Sequence, residues 1–101
     1  MKKIVIFGKR IPNEVQTFIE RTIDSLVQEG CSIFIYERFQ TRINDHWGLN
    51  WNFPEFKSRE DILKSQPDFL LVIGGDGTLL DATTLVEGTD IPIIGLNTGR
   101  L

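Results

Sequence analysis

Phe69-Leu70-Leu71-Val72-Ile73-Gly74-Gly75-Asp76-Gly77-Thr78-Leu79-Leu80 is the stretch whose reading decides the fold. Phe69 to Ile73 has no polar face, which is how a strand buried on both sides of a parallel sheet reads. It halts at Gly74-Gly75, where glycine admits positive φ and, lacking Cβ, lets a ligand approach the backbone. Asp76 follows, so a carboxylate stands at the carboxyl end of a buried strand, the end at which open α/β sheets bind ligands. Gly77 and Thr78 open a second apolar segment, Leu79 to Val86, which reads as a helix. A helix start offers unpaired N–H groups and a positive dipole end, which suits phosphate. Glycine, acid, glycine and hydroxyl at such a turn point to phosphoryl transfer. The glycines admit phosphates, and the carboxylate orients a hydroxyl nucleophile or a metal ion. This is neither a Walker A loop, since no Gly-Lys-Ser/Thr follows, nor the dinucleotide glycine fingerprint. The bland alternative is a tight βα turn with an Asp near a helix start.

Outward from this turn, Ile4-Val5-Ile6-Phe7 is a second all-apolar run and a buried strand, followed by the polar loop Gly8-Lys9-Arg10. Pro12 and Asn13 mark a helix start, with Asn13 as N-cap and Gln16 in the capping-box position. Val15, Phe18, Ile19, Ile23, Leu26 and Val27 recur at three- and four-residue steps and form one apolar helical face. Gly30 sits where a C-terminal glycine belongs. Ser32 to Tyr36 is the third strand, completing a βαβ unit. In Glu37 to Lys57, Arg38 to about Asp45 reads as weakly helical and Asn44 to Pro54 as a loop. Its aromatic residues read as packing, because the basic residues of single-strand nucleic-acid binding are missing. His46 is the sole histidine and has no partner at metal-ligand spacing. Ser58-Arg59-Glu60-Asp61 resembles a capping box with Asp61 at N3, opening a short helix to Ser65 that Pro67 ends. Gly88 and Pro92 close the helix after the organising strand, and Ile91 to Leu96 reads as the last strand. Parallel strands would bring Gly8-Lys9-Arg10, Gly74 to Thr78 and Gly95 to Gly99 to a common rim, a nucleotide cleft. Lys9, Arg10 and Arg100 are its candidate cations, or else solvated surface charges.

The 101 residues make one domain at most. Hydrophobic content of 41% and charged content of 25% are those of a soluble globular chain. A net charge of -3 without a basic cluster argues against nucleic acid as a main partner. Cys31 stands alone, so no internal disulfide forms, which fits a reducing cytoplasm. The apolar run behind Met1-Lys2-Lys3 is too short for a signal peptide, and none approaches membrane-spanning length.

The segment Gly74-Gly75-Asp76-Gly77-Thr78 resembles the motif shared by NAD kinases, diacylglycerol and sphingosine kinases and, with Ser for Thr, 6-phosphofructokinases. Ile91-Pro92-Ile93-Ile94-Gly95-Leu96-Asn97-Thr98-Gly99-Arg100-Leu101 resembles the NAD kinase segment Gly-Ile-Asn-x-Gly-x-Leu, whereas lipid kinases carry a Pro-Leu-Gly-Thr-Gly-Asn type of segment downstream. The resemblance implies an α/β, Rossmann-like, open and mostly parallel sheet with helices on both faces, over residues 1–101 as an N-terminal nucleotide-binding domain. It implies phosphorylation of the 2′-hydroxyl of the adenosine ribose of NAD by ATP or polyphosphate, with a divalent metal, Mg²⁺ by expectation, to give NADP. Asp76 is then the proton acceptor, and Gly75, Asp76, Gly77, Thr78 and Asn97 contact nucleotide. Many members have Arg or Lys five residues after the aspartate; here that position is Asp81, and no ligand contact carries over to it.

The resemblance further implies a cytoplasmic homo-oligomer that binds small-molecule nucleotides, without nucleic acid or membrane as partner. It also implies a second, β-rich domain with an Asn-Glu motif, which these residues do not contain, so the 101 residues alone are expected to be inactive. Two other readings stay open at this level: a lipid kinase catalytic domain, and a non-catalytic nucleotide-binding or assembly module.

Overall fold

A computed structural model describes residues 2–11 and 14–97. Five strands and four helices alternate: β1 (Lys3–Gly8), α1 (Gln16–Gln28), β2 (Ser32–Tyr36), α2 (Glu37–Trp47), β3 (Glu55–Phe56), α3 (Arg59–Ser65), β4 (Phe69–Gly74), α4 (Asp76–Leu85) and β5 (Ile93–Asn97). All pairings are parallel and the order is β3-β2-β1-β4-β5. The chain leaves β1 in one direction and returns on its other side through β4, so the order reverses between β1 and β4. This is the Rossmann-like architecture.

The all-apolar strands are explained by cover on both faces. Ile4, Ile6, Ile33, Ile35, Leu71 and Ile73 pack beneath Ile19 and Ile23 of α1 and Phe39 and Ile43 of α2. Val5, Phe7, Leu70, Val72 and Phe56 meet Ile62 of α3 and Ala82 of α4 on the other side. Because successive side chains of a strand alternate faces, a strand between two helical layers cannot afford a polar position. Each fully buried aliphatic side chain here contributes about 1.5–3 kcal/mol relative to exposure.

Helix ends show where local chemistry set the boundaries. At the end of α1 the Gly30 N–H donates to Val27 O and the Cys31 N–H to Leu26 O, both at 3.0 Å, with Gly30 at φ +85°. That is a Schellman closure, and it needs the left-handed residue that Gly30 supplies. Ser58 caps α3 by accepting from the Asp61 N–H at 3.3 Å, while the Asp61 carboxylate accepts from the Lys57 N–H at 2.9 Å. The short Asp side chain thus closes the box one residue earlier than a Glu would.

Four sequence expectations change. Helix α1 begins at Gln16 with Val15 in the capping position and no side-chain cap; Asn13, the expected N-cap, lies outside the described residues. The Gln16 amide donates forward to Glu20 at 2.9 Å rather than back to a cap. Helix α4 begins at Asp76, not at Leu79, so Asp76, Gly77 and Thr78 form its first turn. The last strand is displaced towards its carboxyl end and takes in Asn97.

The fourth change is β3, a short edge strand that follows the expected loop. It has too few residues for a period-two signal, and side-chain amides of α2 hold its approach. The Asn44 amide donates to Trp51 O and accepts from Trp51 N–H, each at 2.9 Å. One helical turn earlier, buried Gln40 (4% exposed) accepts from Phe53 N–H at 2.9 Å and donates to Phe53 O at 3.2 Å and Glu55 Oε2 at 2.6 Å. Residues four apart on α2 therefore pair with alternate residues of an extended chain. Trp47, Trp51 and Phe53 pack on the core beneath, as their packing reading requires.

Candidate active-site cleft

The turn from β4 to α4 is built by two glycines with different tasks. Gly74 takes φ +154°, and a Cβ placed on it would lie 2.9 Å from Cβ and Oγ1 of Thr78. Both backbone and space therefore demand glycine. Gly75, in the N-cap position, is extended at φ -102° and ψ -165°, a conformation open to any residue, and no side chain caps α4. Positive φ thus belongs to Gly74 alone of the pair. The Leu79 N–H closes the first helical bond to Gly75 O at 3.1 Å. The amides of Asp76, Gly77 and Thr78 precede that bond and have no intrahelical acceptor. Three donors at a positive dipole end form an anion-binding surface.

Parallel pairing of β4 with β5 places Asn97 opposite Gly74. A cleft of about 110 Å³ opens there, lined by Val72, Gly74, Gly75, Asp76, Leu79, Gly95, Leu96 and Asn97. Three of the five residues singled out in the sequence, Gly75, Asp76 and Asn97, meet in it. Gly77 lies on the same helical turn with nothing within 4 Å of a would-be Cβ, so a ligand has close access to its backbone. Thr78 is half-buried, with its Cβ and Oγ1 beside Gly74. Leu79 and Leu96 form the apolar wall. The sequence places the ends of both elements on one rim; the register between β4 and β5 is what sets Leu79 and Leu96 against each other.

Asp76 is exposed, and its carboxylate has no hydrogen-bond or ion-pair partner among the described residues. Its charge is stabilised by its place in the first turn of α4. No group of three or more His, Cys, Asp or Glu side chains that could hold a metal ion occurs among the described residues. Asp76 alone does not make a cation cage, so a divalent ion would be held here only together with the phosphates of a bound nucleotide.

The loop after β1 does not join the cleft. A Cβ on Gly8 would fall 2.5 Å from the Phe39 ring, so Gly8 is glycine because α2 packs against the end of β1. Lys9 is engaged twice: the Arg42 guanidinium donates to its carbonyl, and its ammonium pairs with Asp81 of α4 at 2.5 Å. Parallel pairing does bring the loop after β1 and the Gly74 turn to one sheet edge, as expected, but the cleft does not extend to Lys9. The cleft borders β4 and β5, whereas the β1–β4 side is bridged by an ion pair. Arg10 is exposed, and Thr98, Gly99 and Arg100 lie outside the described residues.

Residues 4–101 match the family model described as the ATP-NAD kinase N-terminal domain. A NAD kinase of Flavobacterium psychrophilum is 37% identical over 99 residues, covering 98% of this chain and 33% of the relative. A NAD kinase of Porphyromonas gingivalis is 33% identical over 101 residues, covering 100% of this chain and 34% of the relative. One of Cytophaga hutchinsonii is 39% identical over 89 residues, 87% of this chain and 24% of the relative. The chain thus spans about a third or less of the length of these curated relatives. Matched along nearly all of its residues, from β1 through the Gly74 turn to β5, the chain belongs to the NAD kinase family, over that family's N-terminal domain.

Proposed function

We propose that this chain is the nucleotide-binding N-terminal part of an enzyme that transfers a phosphoryl group from ATP, or from polyphosphate, to the 2′-hydroxyl of the adenosine ribose of NAD. The observation that carries the reading is Asp76: an exposed carboxylate lining the β4–β5 cleft together with Asn97, in the helix turn whose first three amides have no intrahelical acceptor. In the transfer, the bond from the γ-phosphorus to its bridging oxygen breaks as the ribose oxygen bonds to phosphorus. ADP leaves, and the ribose proton passes to Asp76. A ribose hydroxyl is far less acidic than a carboxylic acid, so Asp76 does not strip it beforehand. It orients the hydroxyl and accepts the proton late, in a loose transition state. The first-turn amides of α4 offset phosphate charge, and Gly75 and Gly77 keep the approach free of side chains. The divalent ion neutralises phosphate charge when bound.

The cleft of about 110 Å³ falls short of the roughly 300–1,000 Å³ of sites that enclose a small ligand. We assign the rest of the acceptor site to a second, β-rich domain, and place the whole enzyme in the cytoplasm as a homo-oligomer. Among the described residues no helix is long and apolar enough to cross a membrane. The test is Asp76→Asn in the full-length gene product, which keeps size and loses charge. Turnover in an NADP-forming assay falls by about 10²–10⁴ with little change in KM. Turnover near that of the unaltered enzyme would remove Asp76 from the reaction.

A further inference from the structure

The β1–β4 side of α4 carries a feature that the transfer chemistry does not use. Lys9 follows β1 and Asp81 lies on α4, five residues after Asp76, so the Lys9–Asp81 pair crosses the point where the strand order reverses. Open α/β sheets bind ligands in that crevice. At 100° per residue, Asp81 stands about 140° around α4 from Asp76 and about 7.5 Å further along its axis. Leu79 turns towards Gly95 on β5, 3.7 Å from a would-be Cβ there, while Asp81 faces the β1 loop. The two carboxylates therefore flank the α4 N-terminus on opposite sides.

The pair is not needed to hold the loop. The Arg42 guanidinium already anchors the Lys9 carbonyl, so the side chain pivots from a fixed base. Lys9 and Asp81 are 49% and 51% exposed, and an ion pair so open to water contributes at most about 1 kcal/mol. A polyphosphate chain carries several charges and accepts charge-assisted hydrogen bonds, so it competes well for the same ammonium.

We propose that Lys9 is a phosphate contact held in reserve by Asp81: the non-transferred phosphates of the donor displace the carboxylate, and Asp81 sets donor affinity by competition. This rests on the nucleotide-binding reading above. The donor then lies across the start of α4, its terminal, reacting phosphate on the Asp76 side and its inner, non-transferred phosphates at Lys9.

The test measures ATP and inorganic tripolyphosphate binding by calorimetry on the intact gene product, with melting curves as a control for folding. Asp81→Asn frees Lys9 and removes a repelling charge, tightening both ligands by about three- to tenfold, the scale of an exposed pair. Lys9→Gln weakens both about tenfold, Lys9→Arg restores most of the loss, and Asp81→Asn gains nothing in the Lys9→Gln background. If the pair is only a brace, both single variants weaken binding together and the proposal falls. Unchanged affinity in Lys9→Gln overturns it while leaving the nucleotide reading intact. Absence of binding and turnover in the unaltered protein would remove both.

Discussion

Two glycines three residues apart are expected to respond to the same substitution with opposite signs. Gly74→Ala forces alanine to φ +154°, at a cost of about 1–3 kcal/mol. Its new methyl lies 2.9 Å from Cβ and Oγ1 of Thr78, and Thr78 is fixed in the first turn of α4. Crowding of this kind costs a further ~1–3 kcal/mol. With about 4–8 °C lost per kcal/mol in a domain of this size, the melting temperature falls by at least about 10 °C. Gly77→Ala meets no atom within 4 Å and sits in a helix at an ordinary φ. Replacing glycine there recovers about 0.5–1 kcal/mol of backbone entropy, a rise of about 2–8 °C by the same conversion. Nucleotide affinity moves the other way for Gly77→Ala, because the methyl stands where phosphate approaches. Thermal unfolding by circular dichroism and calorimetry with ATP read both. Destabilisation by Gly77→Ala, or a Gly74→Ala protein that melts unchanged, would refute the division of labour drawn between the two glycines.

Other expectations follow from single contacts. Arg59 of α3 donates to the carbonyls of Thr84, Leu85 and Glu87 at 3.2, 3.2 and 2.6 Å, closing the end of α4. Arg59→Ala should cost about 1–3 kcal/mol in denaturant unfolding, and Arg59→Lys should recover little because an ammonium lacks the planar fork. Gln40→Leu leaves the Phe53 N–H and the Glu55 carboxylate without their buried partner; a loss of about 1–3 kcal/mol and faster hydrogen exchange at Phe53 are expected. The 101 residues alone, whose cleft is too small to enclose a nucleotide, should give no NADP above an Asp76→Asn control. They should also self-associate in sedimentation through β5, an edge strand of the described sheet on which Ile94 is 45% exposed.

The chain's own letters were enough for the parallel α/β class, because β1 and β4 are apolar runs that only a sheet covered on both faces accommodates, and strands alternate with helical segments. They also singled out the Gly74 turn as the candidate site, since a carboxylate between glycines at a strand end has few structural uses, and the turn does border a cleft. The same is true of Gly30 and Ser58, whose roles are settled within a helical turn by local hydrogen bonds.

Tertiary structure decided what depends on contacts distant in sequence. Gly8 read as a rim glycine until the Phe39 ring was seen to fill its space, and Lys9 read as a free surface charge until Asp81 met it 72 positions away. The β3 strand, held by side-chain amides from a preceding helix, has no periodicity of its own to read. Which side of α4 opens into a cleft and which is bridged was likewise settled by strand register and helix rotation. Those are set by the packing of the whole sheet, and no local run of residues encodes them.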